Sequence, residues 1–278
     1  MGTPQSLRPR KRSRLRLFAG RQYFIGRRYM RWLLQDKSIA AAFMKEQLPY
    51  LAASHHTPML RKLRKVDMQL QYNKIRNLSL AIPRLNGLTV KPGETLSYWR
   101  RIGKPTRRKG YLDGMVLYYG GFRSGVGGGL CQLSNLIYWM TLHTPLTVTE
   151  RHRHSYDVFP DEQRTQPFGS GATCSYNYLD LQIRNDTENE YQLCLWLDDT
   201  YLYGEWRSSS PVLNRYEVYE SSHSIRLEPW GGYVRRNSIR RRKLSLDGSE
   251  ISDEPVADNT ALMMYAPLLK EASVVSDF

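Results

Sequence analysis

A cysteine, Cys131, lies where three consecutive glycines, Gly127, Gly128 and Gly129, run into a segment with helical periodicity. The placement suits nucleophilic chemistry. The first N–H groups of a helix are unpaired and favour negative charge, so a thiol at that end is expected to ionise below its ordinary pKa of about 8.5. Glycines remove every Cβ from one wall, which lets a substrate backbone approach and lets turns with positive φ aim N–H groups inward as an oxyanion hole. Gln132, Ser134 and Asn135 follow in the first turn and can orient a substrate carbonyl or cap the helix. A packing turn beside a core cysteine would have the same sequence, since cysteine is among the most buried residue types. A histidine is what raises the catalytic reading. His152 and His154 lie just downstream, and His154 is the one expected to meet Cys131, acting as base and then as acid. Arg151 and Arg153 flank the pair with charge that would favour thiolate and bind carboxylates.

The elements that must position these residues can be read from periodicity. Leu133, Leu136, Ile137 and Met140 recur at helical intervals and Thr144-Pro145 ends the run, which predicts a helix over 132–143. Strands are predicted over 148–151, 179–185 and 192–198, the last two joined by a hairpin turn at Asp186 to Asn189, with a further strand near 200–206. Upstream, 38–44 reads as helix. His55 and His56 fall in a polar surface loop and are not expected to be ligands, and Thr57-Pro58 resembles a cap opening a basic helix through Val66. Met68 to Tyr72 alternates like a strand, 73–85 resumes a helical pattern, Asn86-Gly87 turns, and Leu88 to Val90 begins a core sheet. Beyond Pro211 come short strands, a basic run from Arg235 to Lys243, and an acidic tail from Ile251 that is expected to be partly disordered.

The run from Gly127 to Asn135, with Glu150, Arg151 and His154 after it, resembles the VanW family. The likeness extends upstream over Leu85 to Leu88 and Val90 to Trp99, and downstream over Ala172-Thr173 and Asp180 to Asn185, covering roughly residues 48 to 205. Members of that family accompany B-type glycopeptide-resistance gene clusters or occur as exported domains beside peptidoglycan-binding modules, some of which have been proposed as cysteine L,D-transpeptidases. The resemblance implies that Cys131 attacks a carbonyl in a peptidoglycan stem peptide and that His154 moves the proton. Gly127 to Gly129, Gln132 and Arg151 fall on the family's flanking positions, and Ser134 lies within the same run. One departure stands out: Gly171-Ala172-Thr173 replaces the family's Asp-Ala-Thr, so an acid that would orient the histidine is absent. Asp157, Asp180 or a backbone carbonyl are the substitutes available. The alternative reading is a non-catalytic accessory protein that binds cell-wall precursor peptides or the membrane surface.

Composition bounds these readings. With 278 residues and 41% hydrophobic content the chain can bury one core of ordinary size. We expect an α+β chain in three regions: a basic helical N-terminal region over 1–47, a mixed or antiparallel sheet domain with one central Cys-bearing helix over 48–209, and a β-rich appendage with an acidic tail over 210–278. Much of the net charge of +15 lies in residues 8–37, where apolar and aromatic residues interleave with arginines. That is the composition of a helix lying on anionic lipid, and no nucleic-acid motif accompanies it. No apolar run long enough for a signal peptide or a membrane span is evident, so a cytoplasmic address, peripheral at the inner face of the membrane, is expected. Cys131, Cys174 and Cys194 are odd in number and lack any CxxC spacing, which argues against a disulfide framework or a zinc site. Cys174 and Cys194 are expected in strands, and no cofactor is expected.

Overall fold

The computed structural model describes residues 13–35, 38–60, 67–118, 120–158 and 166–267. In chain order the elements are α1 (Arg14–Leu34), β1 (Ala42–Phe43), β2 (Tyr50–Pro58), α2 (Met68–Ala81), β3 (Leu88–Val90), β4 (Thr95–Ser97) and α3 (Tyr98–Ile102). There follow β5 (Asp113–Tyr118), β6 (Gly121–Val126), α4 (Cys131–Leu142), β7 (Thr147–Glu150), β8 (Tyr156–Asp157) and β9 (Gln182–Arg184). The last five are β10 (Tyr191–Leu197), β11 (Tyr201–Ser208), β12 (Asn214–Leu227), β13 (Tyr233–Ser245) and β14 (Glu250–Met263). The chain is α+β: helices pack on several sheets that are antiparallel apart from one parallel pair, β14 with β8.

The main sheet has the order β1-β3-β10-β11-β2, and α4 lies across β2 and β11. Helix and sheet meet closely because β11 carries Gly204 there: a Cβ at that position would stand 2.6 Å from Met140 Cε and 3.1 Å from Leu136 Cδ2. Two residues along, fully buried Trp206 donates its indole N–H to Thr141 Oγ1 at 3.0 Å, which satisfies the one polar atom of a large apolar side chain. A three-stranded sheet, β4-β9-β7, lies beside the main one, and the β5-β6 hairpin packs under α2.

Several sequence expectations are corrected by long-range pairing. The predicted helix over 38–44 is replaced from Ile39 onward by sheet pairing: Ala40 N donates to Thr95 O at 3.0 Å, and Ala42–Phe43 pair with Leu88 and Thr89. Sheet pairing there overrides local helix propensity. His55 and His56 lie in strand β2 rather than in a loop, and Thr57-Pro58 end that strand opposite Leu202 and Tyr201. The continuation of the predicted basic helix over 61–66 lies outside the described residues. Met68 to Tyr72 is helix, because Asp67 caps Gln69 N at 2.8 Å and Gln71, Lys74, Asn77, Leu78 and Ala81 make one buried stripe. Strands β9 and β10 do not form a hairpin. They belong to different sheets, and the intervening turn is braced by Asn185, whose amide donates to Val90 O at 2.9 Å and Asn189 O at 2.7 Å. The tail from Ile251 is strand β14 as far as Met263, paired along β13, while residues 268–278 lie outside the described residues. Cys194 is on β10, whereas buried Cys174 sits in irregular backbone.

Candidate functional site

Cys131 is the first residue of the twelve-residue helix α4, one residue earlier than periodicity predicted. It is half-buried, whereas Cys174 and Cys194 are buried. The first turn of α4 is stitched to the segment 169–174. Ser134 Oγ donates to Ala172 O at 2.7 Å, Ala172 N donates to Asn135 Oδ1 at 2.8 Å, and the Cys131 thiol donates to Cys174 O at 3.6 Å. From the other side Arg151 donates Nε to Gly171 O at 2.9 Å and Nη2 to Gly169 O, while Thr173 N donates to His152 O at 2.8 Å. Tyr98, fully buried, donates its hydroxyl to Leu130 O at 2.9 Å and closes the site from beneath.

The glycine turn is held by its own backbone. Gly127 N donates to Leu112 O, Gly128 N to Gly125 O and Gly129 N to Met115 O, at 2.9, 2.9 and 3.0 Å. These three N–H groups, expected to form an oxyanion hole, are occupied within the fold. What makes the positions glycine is packing. A Cβ on Gly128 would land on the backbone of Gly114, and one on Gly129 would land on the side chain of Lys74. Gly127 and Gly129 also adopt φ of 75° and 89°, the left-handed region that only glycine enters without strain. Gln132 likewise serves the fold, its amide donating to Pro58 O at 2.9 Å and tying the start of α4 to the end of β2.

The thiol's ionisation runs against the helix-end expectation. Burial pushes the Cys131 thiol up from its ordinary value, by more than the backbone hydrogen bonds at Cys174 and Cys131 bring it down. Taking the thiolate out of water disfavours the charged form. His154 lies in irregular backbone after β7, half-buried, with its pKa lowered by burial. Among the described residues no hydrogen bond or ion pair joins it to Cys131. The two acids expected as substitutes for the missing one have other partners. Asp157 accepts from Tyr265 Oη at 2.8 Å and pairs with Arg235, and Asp180 accepts from Ser97 Oγ at 2.6 Å and Trp99 N at 2.9 Å.

A second polar cluster, not anticipated from sequence, lies under α1. Arg28, 5% exposed at its side chain, pairs with Glu150, and His152 Nε2 lies 2.9 Å from the same carboxylate oxygen. Burial pushes Glu150 up, but the hydrogen bonds from His152 and Arg28 and the charge of Arg28 outweigh it and hold the carboxyl at about 2. Neighbouring Asp180, fully buried, is pushed to about 6 by burial against the hydrogen bonds from Ser97 and Trp99. The usable sequence signal was an arginine on the inward side of an amphipathic helix, but its partner is 122 residues away. Strand β2 also places His55 against Trp139 of α4, ring centroids 6.3 Å apart, with Gln166 Nε2 at 2.9 Å from its Nε2. Burial and then the charge of His56 lower His55 to about 4.

Comparison with known proteins shows what the chain is similar to. The family model described as VanW like protein matches residues 73–207. Enterococcus faecalis has a relative named vancomycin B-type resistance protein VanW, 35% identical over 209 residues, covering 75% of this chain and 76% of that protein. The uncharacterized protein YoaR of Bacillus subtilis is 32% identical over 115 residues, 41% of this chain and 36% of its own length. No solved structure matches.

Proposed function

The chain belongs to the VanW family, and from that premise we propose that it serves glycopeptide resistance and peptidoglycan metabolism as an accessory protein that binds cell-wall precursor peptides without acyl transfer. Kinship to a vancomycin-resistance protein supports the ligand class. The observation that carries the non-catalytic part is the occupancy of the site's polar groups. The three glycine N–H groups, the Gln132 amide, the Ser134 hydroxyl and the Arg151 guanidinium all donate within the fold. The thiol itself donates to Cys174 O and is pushed up by burial. On this reading the Gly-Gly-Gly-Leu-Cys-Gln motif is an architectural turn that locks α4 to β2, the β5-β6 hairpin and the 169–174 segment.

A second reading keeps the chemistry of the family resemblance. Of the three cysteines Cys131 alone is not buried, and it heads a helix. A thiolate formed there would attack a stem-peptide carbonyl, expelling the leaving amine with a proton from His154. An acceptor amine would then cleave the thioester and return the thiol. That course requires His154 to close on Cys131.

Alkylation of Cys131 across pH, with a His154→Ala variant alongside, separates the two. The accessory reading expects reaction only well above neutral pH, indifferent to His154, and drug resistance retained by Cys131→Ser. Reaction persisting below pH 7 and collapsing in His154→Ala, with resistance lost in Cys131→Ser, would install the acyltransferase instead. Titration with a muramyl pentapeptide tests the ligand, and failure of wild-type protein to bind it would remove the accessory reading.

A further inference from the structure

Helix α1 carries six arginines, Arg14, Arg16, Arg21, Arg27, Arg28 and Arg31, and no acid. Its contact with the rest of the fold is narrow. Only Arg28 and Trp32 are buried in twenty-one residues, the first on Glu150 and Tyr178 O, the second near Tyr176 and under the Arg100 guanidinium. At 100° per residue, Leu15, Phe18, Tyr29 and Leu33 fall on one side of the helix, roughly a quarter-turn from that docking stripe. Leu15 is 77% exposed, Phe18 62% and Leu33 75%, while Tyr29, 45% exposed, has its hydroxyl 3.0 Å from that of Tyr176 at the edge of the docking contact. Tyr23, 64% exposed, and Met30, 64% exposed, widen the stripe, while Arg16, Arg27 and Arg31 line the helix on its far flank. No helix among the described residues is long and apolar enough to cross a membrane. An apolar stripe bordered by arginines suits a helix lying in the interface plane instead.

We propose that α1 docks this protein on an anionic lipid surface, burying Leu15, Phe18, Met30 and Leu33 among the acyl chains while its exposed arginines engage lipid phosphates. Charge complementarity selects this occupant. A second copy would set two acid-free helices face to face, five exposed arginines against five, whereas an anionic bilayer offers opposite charge along the whole length of about 31 Å. The arginines at residues 8–12 of the sequence would add to the attraction, although they lie outside the described residues.

The test is sedimentation of the full chain with vesicles of phosphatidylcholine containing about 30% phosphatidylglycerol, against pure phosphatidylcholine, with circular dichroism and oligomeric state monitored. Binding is expected to the anionic vesicles only, and to weaken as salt is raised from about 0.1 M to 0.5 M. Arg21→Gln/Arg27→Gln is expected to weaken it about 25-fold, at roughly five-fold per arginine. Phe18→Asp/Leu33→Asp, both at exposed positions, is expected to abolish binding while the fold is kept. Equal binding to both vesicle types, no binding by wild type, or unchanged binding by Phe18→Asp/Leu33→Asp would overturn the proposal. So would conversion of a dimer to a monomer by that variant without vesicle binding by wild type, which would assign the stripe to a second copy.

Discussion

Helix α1 and strand β13 are both rich in arginine, yet they meet that charge in opposite ways. On β13 the cross-strand register sets acids against bases. Arg240 lies 3.2 Å from Asp253 and Arg242 3.5 Å from Glu250, and Arg241 pairs with Glu254. Beyond the β13-β14 pairing, Arg236 reaches Glu228 at 2.8 Å and Arg235 reaches Asp157 at 3.4 Å. On α1 the sole ion pair among the described residues is Arg28 with Glu150, and it is buried, while the other five arginines stand on the surface. Composition thus says how much charge a segment carries, and pairing decides whether that charge serves the fold or remains available to something outside it.

The sharpest way to break the contrast is at its exception. Glu150→Gln removes the carboxylate that compensates Arg28 in a setting where both side chains are largely covered, 5% and 15% exposed. Leaving one buried charge unpaired is expected to cost about 3–5 kcal/mol, read as a fall in urea midpoint at pH 7. The pH profile carries the same signature. Because the folded carboxyl is depressed from 4.5 to about 2, its stabilisation is present above pH 4.5 and is lost as pH falls through that window. Asp180, raised from 3.8 to about 6, contributes oppositely: its stabilisation is present below pH 3.8 and is lost as pH rises toward 6. Glu150→Gln should therefore flatten the acid limb of the stability curve, and Asp180→Asn should steepen it. An unchanged midpoint in Glu150→Gln would show that Arg28 finds other partners and that the pair is not what fastens α1.

Local signals made part of this legible from sequence. The apolar spacing of Leu133, Leu136, Ile137 and Met140 defined α4 to within one residue at either end, and the strands predicted over 192–198 and near 200–206 are β10 and β11. What failed was whatever depended on a distant partner. The Ser38 to Met44 segment has helical propensity but is captured by Thr95 and by β3. The glycines were read as making room for substrate, yet the room is filled by Gly114 and Lys74, residues that spacing alone does not bring near. Cys131 was placed at a helix end and is there. Burial raises its pKa, and the carbonyl its thiol meets, Cys174 O, arrives from a remote part of the chain.

On the β13 side, Arg241 does more than face an acid. It also donates to Thr144 O at 2.9 Å and Leu142 O at 3.3 Å, and it covers the Tyr216 ring with its guanidinium 4.9 Å from the centroid. Arg241→Ala thus unties the appended sheet from the end of α4 and is expected to cost about 1–2 kcal/mol. Its partner Glu254 is 50% exposed at the side chain, so Glu254→Ala should cost no more than about 1 kcal/mol. If the two substitutions cost the same, the ion pair would be the whole of the arginine's contribution and the carbonyl contacts none of it.

The smallest effect on stability belongs to the surface arginines of α1. Arg21→Gln and Arg27→Gln remove charge that no residue of the described fold engages, so each should leave the unfolding free energy, read from urea titration, within about 0.5 kcal/mol of wild type. Neutralising either also relieves repulsion within an acid-free helix, and any shift should accordingly be toward slightly greater stability at low salt, fading as salt screens it. A loss of more than about 1 kcal/mol would mean that these arginines are held by the fold as those of β13 are. A null effect on stability, beside a large effect on vesicle binding, separates charge kept for an external surface from charge used within the protein.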